Sequence, residues 1–575
     1  MGVCTLVDEL NRLRKSSGDS IDSDKSFDAF KQYMHIRRNV EDDLKEILRD
    51  VTKSNRKTLV LLCGSAGDGK SHMLSYLKNF DEDHLLEGFR VHNDATESSA
   101  PNKTAIDTLN EVLGDFSDDE IENPGKNLIL AINLGVLNNF IESEYGKRFT
   151  LLRKYVEDHY ILSTKVVDNK YDIESSIKHV SFADYQMYTL TESGAKSQYI
   201  GSILNRIFNT DHENPFYNAY TNGCAHCSMQ TTCPVRYNFQ FLQNKMVQEY
   251  ITKLLIMTII KKKEILTTRE ILNYFYDIAV PQDFNYSELG KLLSDNDGML
   301  KKFLHGMTPR LMFDQESVSI LMDHVRENDP VLFRDEKSDD FAVEYYVSTD
   351  VSKPLKDVLG DTVYKDFLLT SEKRKTINFD KDVKGALFSC LIRVRAMLEN
   401  VMQDPVYDEY VRTLYYFNAG RKKMLGDLYN SVKQALLQWC GTDGEGHACL
   451  DQSNTKYSLF EEVRFIPDLN DLPEMTDAEE LQRFIPELKV SFQNKDGGSV
   501  LHLDIDFPLY KMINRLKGGY IHTVNDKNNH ADFISFIDRM LRAGNSMREV
   551  FLVAQNGQKS VLKRTDFGYE FEVMK

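Results

Sequence analysis

Apolar residues recur along the chain with spacings that predict helices over much of its length and strands in two regions. Helical spacing is found in 26–50, in 246–260, in 267–278 and from Asp350 to about Gln438. From about Tyr457 onwards apolar and polar residues alternate, as in 501–507 and 549–553, which predicts strands. The pattern therefore predicts a protein that mixes helices with sheets.

The clearest strand in the first half of the chain is the apolar run from Lys57 to Cys63, which is typical of a buried parallel strand. It continues into Gly64-Ser65-Ala66-Gly67-Asp68-Gly69-Lys70-Ser71, which matches G-x-x-x-x-G-K-[ST]. A stretch with helical spacing, His72–Asn79, follows the loop. Strand, loop and helix thus stand in the order that a phosphate-binding loop requires.

The residue types of this loop suit a nucleoside triphosphate with Mg²⁺. Glycines let the backbone N–H groups wrap the phosphates, Lys70 places a charge on the β- and γ-oxygens, and the Ser71 hydroxyl coordinates the metal. The alternative is a glycine-rich turn that only caps a helix. We expect the nucleotide-binding residues to be Gly64, Gly67, Asp68, Gly69, Lys70, Ser71 and His72.

Hydrolysis also needs a carboxylate near Mg²⁺ and a group that orients water, and here the sequence is less clear. Asp94 follows the strand-like run that begins at Phe89, and Glu97 lies in the turn after it. The run 128–132 is a better buried strand but ends in Asn133. We expect the catalytic residues to be Lys70, Asp94, Glu97 and Asn133. Asp94 or Glu97 acts on the metal or the water, and Asn133 acts as a γ-phosphate sensor. Asp94 as a simple turn cap is the alternative.

Three of the eight cysteines are clustered as Cys224-x₂-Cys227-x₅-Cys233 in a polar segment. Thiolates at this spacing suit a structural Zn²⁺, but the sequence does not show which residue is the fourth ligand. His226, His212 and the more distant cysteines are candidates. Three free thiols, or an iron–sulfur cluster, are the alternatives.

Length and composition limit the classes of function. With 575 residues, 41% hydrophobic and 28% charged, the chain resembles an ordinary globular protein of several domains. It has no apolar run long enough for a membrane span and no signal-peptide pattern, so we expect a cytoplasmic location and no membrane partner. The net charge of −17 opposes tight autonomous binding to nucleic acid.

We expect an α/β P-loop NTPase core of the AAA/ASCE type with a parallel sheet, followed by helical domains and a C-terminal α+β domain. The expected segments are an N-terminal helical segment (1–50), the NTPase core with a cysteine-containing insert near 221–236 (51–245), a helical lid-like region (246–350), a helical and locally basic region (351–445) and the α+β domain (446–575).

Three further features admit two interpretations each. Arg269, in the first turn of a lid helix, either reaches a γ-phosphate or is simply solvated. The basic clusters 373–375, Arg393/Arg395 and 421–423 form either a surface for DNA or a partner, or ordinary solvated charge. Asp468, Glu487 and Lys489 loosely match the metal-binding pattern of some nucleases, although such short patterns are common by accident.

Several segments are also familiar as sequences: Phe27–Arg38 (FDAFKQYMHIRR), Leu61–Tyr76 (LLCGSAGDGKSHMLSY), Val91–Ser98 (VHNDATES), Ile129–Phe140 (ILAINLGVLNNF) and the cysteine segment ending in CPVR at 233–236. Together they resemble the DptF family of DNA phosphorothioation-dependent restriction proteins over about the first 240 residues. The resemblance implies an ATPase-like subunit of a three-part bacterial system that attacks DNA lacking backbone sulfur. It also implies companion subunits, through which DNA is contacted.

These observations lead us to expect an ATP-binding, ATP-hydrolysing subunit of such a restriction complex. Two other interpretations stay open at this point. One is a nucleotide-binding scaffold that uses ATP as a switch with little hydrolysis. The other is an unrelated AAA-like ATPase that remodels another assembly.

Overall fold

The computed structural model describes residues 4–18, 29–54, 56–81, 83–93, 104–162, 172–285, 296–315, 319–402, 404–451, 456–463, 466–493, 500–543 and 549–574. The chain forms two compact units. The first unit comprises residues 1–189, 196–259 and 264–403, and the second comprises 190–195, 260–263 and 404–575.

The first unit contains a four-stranded parallel sheet. Its strands are β1 Leu59–Cys63, β2 Phe89–Asn93, β3 Asn127–Ile132 and β4 Ile177–Ser181, and their spatial order is β2-β3-β1-β4. Leu62 of β1 lies opposite Ala131 of β3, which in turn lies opposite Asn93 of β2. The carboxyl ends of all four strands therefore lie at the same edge, where ligands bind in open parallel sheets.

Apolar strand sequences explain why this sheet is buried on both faces. β1 and β4 are buried throughout, and β3 is buried after its first residue. On one face, Leu59 and Leu61 pack with Leu130, Phe140 and their neighbours. On the other face, Val60 and Leu62 pack with apolar residues of the preceding and following helices. Alternate residues of one strand thus contribute to two separate cores.

The described part of the first unit also contains α-helices. They are α1 Thr5–Gly18, α2 Ala29–Met34, α3 Asn39–Lys53, α4 Lys70–Phe80, α5 Ala105–Val112, α6 Leu134–Glu142, α7 Thr150–Asp158, α8 Gln198–Phe208, α9 Pro215–Ala225, α10 Pro234–Leu242, α11 Lys245–Lys262, α12 Thr268–Ala279, α13 Asn296–His305, α14 Thr308–Phe313, α15 Ile320–Arg326, α16 Glu336–Val347, α17 Ser352–Leu359, α18 Tyr364–Leu368, α19 Ser371–Phe379 and α20 Lys381–Glu399. The predicted helices at 26–50, 246–260 and 267–278 correspond to α2 with α3, to α11 and to α12.

The second unit combines helices with antiparallel sheets. Its helices are α21 Pro405–Asn418, α22 Gly426–Cys440, α23 Phe507–Lys517, α24 Val524–Asn529 and α25 Ala531–Arg542. Its strands are β5 Thr189–Thr191, β6 Gly194–Lys196, β7 Ala448–Asp451, β8 Tyr457–Glu461, β9 Ile466–Asp468, β10 Glu480–Leu481, β11 Leu488–Gln493, β12 Val500–Ile505, β13 Glu549–Ala554, β14 Lys559–Thr565 and β15 Gly568–Val573. The sheet orders are β10-β5-β6, β12-β11-β9 and β15-β14-β13-β8-β7.

The architecture confirms a mixed α/β fold with a parallel sheet in the first part of the chain and antiparallel sheets near the end. Among the described residues, no helix has the length and apolar character needed to cross a membrane. The expected α+β character after residue 446 agrees with the sheets and helices of the second unit.

One predicted surface feature is wrong. Arg393, grouped with the basic clusters, has a side chain only 3% exposed and donates hydrogen bonds to Asp314 and Asp329. A buried guanidinium held by two carboxylates contributes no charge to a binding surface. Spacing along the chain could not distinguish it from a solvated arginine, because its partners lie in other elements.

Candidate functional site

The phosphate-loop sequence forms a turn between β1 and α4 that requires glycine at two positions. Gly67 and Gly69 have φ values of +90° and +101°, a region that side chains rarely adopt. Gly69 is the residue before α4, so the turn delivers the chain directly into the first turn of this helix. The N-terminus of α4 therefore faces the carboxyl edge of the parallel sheet, which is a favourable place for an anion.

Lys70 lies across the loop. Its ammonium donates to the carbonyl oxygens of Gly64 at 3.0 Å and Ser65 at 2.7 Å. The Asp68 carboxylate stays inside the loop and accepts from the Ser65 N–H at 2.5 Å, while burial raises the pKa of Asp68. The predicted residues of this motif are thus brought together by the short loop itself, with Ser71 one residue into α4.

The neighbouring strand places Asn133 beside the loop. The Gly64 N–H donates to the Ile132 carbonyl at 3.2 Å, and Asn133 is the next residue. Its amide oxygen accepts from the Gly135 N–H at 2.9 Å and caps α6. Because the oxygen is used in the cap, the amide nitrogen is the group that Asn133 can offer to a phosphate or water.

The predicted carboxylates, Asp94 and Glu97, come after β2 in the sequence. β2 ends at Asn93 and is separated from β1 by β3. Asp94 and Glu97 lie outside the described residues, so their role remains a prediction. Another acidic residue acts on the end of β1: burial and then the charge of Asp184 raise the pKa of Cys63 to about 12, with Lys70 opposing. Asp184 lies just after β4, and no motif in the sequence marked it.

Two further elements border the loop. The Arg38 guanidinium donates to the Asp68 carbonyl at 3.2 Å and lies 4.7 Å from the centre of the Tyr199 ring. On another side, the start of α12 approaches so closely that a Cβ on Gly67 would lie 3.3 Å from Thr267 and 3.4 Å from Arg269. Arg269 is therefore not a distant solvated residue, but a half-buried neighbour of the phosphate loop.

A cleft of about 770 Å³ lies between the segment that ends at Arg38 and α8, and none of the described residues that line it belongs to the loop 64–71. It is lined by His35, Ile36, Arg37, Ser197, Gln198, Gly201, Ser202, Asn205 and Arg206. His35 and Arg37 belong to the segment that ends at Arg38, and the other residues belong to α8 or its cap. Two contacts connect this segment to the loop and to α4: Arg38 donates to the Asp68 carbonyl, and His35 Nδ1 lies 3.3 Å from His72 Nε2. The sequence pattern did not indicate this cleft, because its two walls are far apart in the chain.

The side chain of His72 belongs to a polar chain behind the loop rather than to the loop surface. Its Nε2 is 3.3 Å from His35 Nδ1, and His35 Nε2 is 3.2 Å from Glu41. Burial and then the neighbouring His35 lower the pKa of His72 to about 4. Burial raises the pKa of Glu41, but hydrogen bonds from His35 and Lys45 outweigh this effect and lower the pKa below its usual value. Neutral His72 and charged Glu41 thus connect α4 to the segment that lines the cleft.

The cysteine cluster includes a member that the sequence spacing did not reveal. Burial raises the pKa of Cys224 to about 12, and the nearby Cys4 and Cys227 raise it further. Cys233 is buried as well, and its pKa of about 12 is also raised by Cys4 and Cys224. The predicted trio is therefore accompanied by Cys4, which packing of α1 brings from far away in the sequence.

Two other groups of possible ligand residues are weaker candidates for a metal site. In the described ranges, one trio has ligand atoms all within 4.8 Å of one another: Asp443, Glu445 and His447. The three residues lie in one turn, in which Asp443 and His447 are hydrogen-bonded and Lys559 pairs with Glu445. In the nuclease-like pattern, Asp468 lies opposite Ser491 of β11. Ser491 is four residues after Glu487, which corresponds to about 13 Å along an extended strand. That separation does not suit one shared metal.

Comparisons with known proteins do not assign this site. No protein-family model, curated protein or solved structure matches the chain.

Proposed function

We propose that this chain binds ATP with Mg²⁺ at 64–71 and hydrolyses it, as a cytoplasmic subunit of a DNA restriction complex that attacks DNA lacking backbone phosphorothioate. The observation that carries the nucleotide site is the loop itself: two glycines at positive φ, Lys70 across the turn and the α4 N-terminus at the carboxyl edge of a parallel sheet. Backbone N–H groups, a point charge and a hydroxyl are the parts that bind a triphosphate with its metal.

The surroundings of the loop support a triphosphate rather than a simple anion. The cleft beside His35 offers space for the base and ribose, and Asn133 offers an amide at the next strand end. In this proposal Ser71 coordinates Mg²⁺, Asp94 or Glu97 supplies the carboxylate, and Arg269 faces the γ-phosphate from α12. The ASCE-type assignment is supported by one strand standing between β1 and the strand that leads to Asp94.

The restriction role is supported by the resemblance to the DptF family and by charge. A chain with a net charge of −17 repels DNA at long range, so DNA is contacted through companion subunits. Lys375 and Lys422 are exposed, but they belong to different compact units. Each of them therefore offers DNA only a local positive charge.

The alternative of a nucleotide switch is favoured by one observation. Thr267 and Arg269 lie close to the loop at Gly67, so a bound γ-phosphate would be sensed at the start of a helix in the helical region. A switch needs such a contact but does not need fast turnover.

The test is steady-state turnover of Mg·ATP by the full chain, alone and with duplex DNA and co-purified companion subunits. Wild type is expected to hydrolyse ATP, Lys70→Ala to bind it more weakly and to lose turnover, and Asn133→Ala to lose turnover while retaining binding. Binding without turnover in any combination would replace the ATPase proposal by the switch. Stable companions unrelated to DNA would favour a remodelling ATPase instead.

A further inference from the structure

We infer that Cys4 is the fourth ligand of a structural zinc site that it forms with Cys224, Cys227 and Cys233, and that this site fixes α1 to the base of the cysteine loop. The inference does not depend on nucleotide binding. It rests on how three separate elements bring four cysteines near one another.

The first step is the close approach of α1 to α9. A Cβ placed on Gly223 would lie 1.8 Å from Thr5 Oγ1 and 3.2 Å from its Cβ, so only a glycine allows the contact. Thr5 also donates to the Ala219 carbonyl at 3.5 Å. Cys4 precedes Thr5, and Cys224 follows Gly223. The two cysteines are therefore brought near each other by the close packing of the Thr5 side chain against α9.

The second step concerns the environment of the sulfur atoms. Cys4 precedes α1 and faces the backbone N–H groups of Leu6 and Val7. Cys233 is the N-cap of α10 and faces the N–H groups of Val235 and Arg236 in the same way. These N–H groups offset only part of the effect of burial, which raises the pKa of both thiols.

The loop between the helices completes the arrangement. The Met229 N–H donates to Cys227 Sγ at 3.4 Å, and Arg236 donates to the Gln230 carbonyl at 2.7 Å, which braces the loop from the α10 side. The guanidinium of Arg236 also acts on Cys224 electrostatically. Four thiolates with one Zn²⁺ carry a net charge of −2, which this cation partly offsets.

Four cysteines and a tetrahedral ion are the usual composition of a closed structural zinc site. Binding converts four thiols into thiolates and releases four protons to solvent, and the metal supplies the charge that burial otherwise disfavours. No three of the four sulfur atoms already lie within 4.8 Å of one another. Metal binding therefore requires the sulfur atoms to move closer together.

The site has a structural consequence beyond the cysteine loop. Further along α1, Arg14 pairs with the buried Asp277 of α12, and its guanidinium lies 4.4 Å from the centre of the Tyr276 ring. The beginning of α12 borders the phosphate loop at Gly67. Fixing the N-terminus of α1 thus stabilises the helix that supports one side of the candidate nucleotide site.

The experiment measures metal in untagged full-length protein, purified in reducing buffer without chelator. Wild type and the control Cys440→Ser, whose cysteine lies in the second unit, should each contain one zinc per chain. Cys4→Ser should lower zinc affinity by more than the roughly 10–100-fold typical of losing an outer-shell partner. Cys4→His should retain zinc, because imidazole also ligates it.

A second measurement does not depend on the folding of a variant. Titrating metal-free wild type with Co²⁺ should give the absorption of a tetrahedral thiolate site, and Cys4→His should give a weaker thiolate band with the tetrahedral bands kept. Zinc absent from wild type, zinc fully retained in Cys4→Ser, or iron with visible absorption in place of zinc would each overturn the inference.

Discussion

The contact between α1 and α9 gives a prediction whose size follows from the geometry. Alanine normally stabilises a helix interior relative to glycine by about 0.5–1 kcal/mol. At Gly223 the new methyl group would lie 1.8 Å from Thr5 Oγ1, and overpacking of this kind costs about 1–3 kcal/mol. We therefore expect Gly223→Ala to lower the free energy of unfolding by about 1 kcal/mol, and by at most about 2.5 kcal/mol, in spite of its better helix propensity.

A second substitution makes the reasoning specific. Thr5→Ala removes the atom that collides and leaves only the Cβ, 3.2 Å from the new methyl group. Its own cost is small, because the hydrogen bond it loses is exposed and 3.5 Å long. In the double variant the loss should largely disappear, which gives a favourable coupling energy of about 1 kcal/mol or more.

The matched control is Gly385→Ala in α20, where an added Cβ meets nothing within 4 Å. This variant should be slightly more stable than wild type. Unfolding is followed in urea by circular dichroism, while fluorescence of Trp439, the only tryptophan, reports on the second unit. Equal stability of Gly223→Ala and Gly385→Ala, or no rescue by Thr5→Ala, would refute the docking of α1 on α9.

Two other predictions follow from buried charge. The pKa of His72 is about 4 in the folded chain against 6.5 unperturbed, so its contribution is complete above pH 6.5 and is lost as pH falls towards 4. The loss is at most about 3 kcal/mol, and urea unfolding of His72→Gln should show a flatter pH dependence of stability between pH 6.5 and 4.5. Arg393→Met should cost about 3–5 kcal/mol, because two carboxylates lose their buried partner, whereas Arg374→Met, at a more exposed pair with Asp350, should cost less than about 1 kcal/mol in the same assay. A pH profile unchanged by His72→Gln, or equal effects of the two arginine variants, would contradict these assignments.

The features that the sequence predicts best are those formed by residues that are close together along the chain. The apolar run 59–63, the loop 64–71 and the helix after it are local, and the structure has them in the expected order. The capping box of α12, in which Thr267 and Glu270 are reciprocally bonded, is local as well.

Features formed by tertiary packing were missed, because the residues that form them are far apart along the chain. Cys4 joins the cysteine cluster only because α1 packs on α9, and the cleft exists only where 35–37 faces α8. Arg393 shows the converse error: a charge counted as surface is neutralised by Asp314 and Asp329, which lie in other parts of the fold. No spacing rule connects residues that meet across elements.

The central claim is that 64–71 binds a nucleoside triphosphate, and equilibrium titration of the full chain with Mg·ATP tests it most directly. Lys70→Ala should weaken binding by roughly 10–100-fold, because a charge-assisted contact with phosphate is lost. Lys78→Ala, at an exposed lysine in the last turn of the same helix, should bind like wild type. Wild-type affinity in Lys70→Ala, or no binding of Mg·ATP by the wild-type chain, would contradict the account.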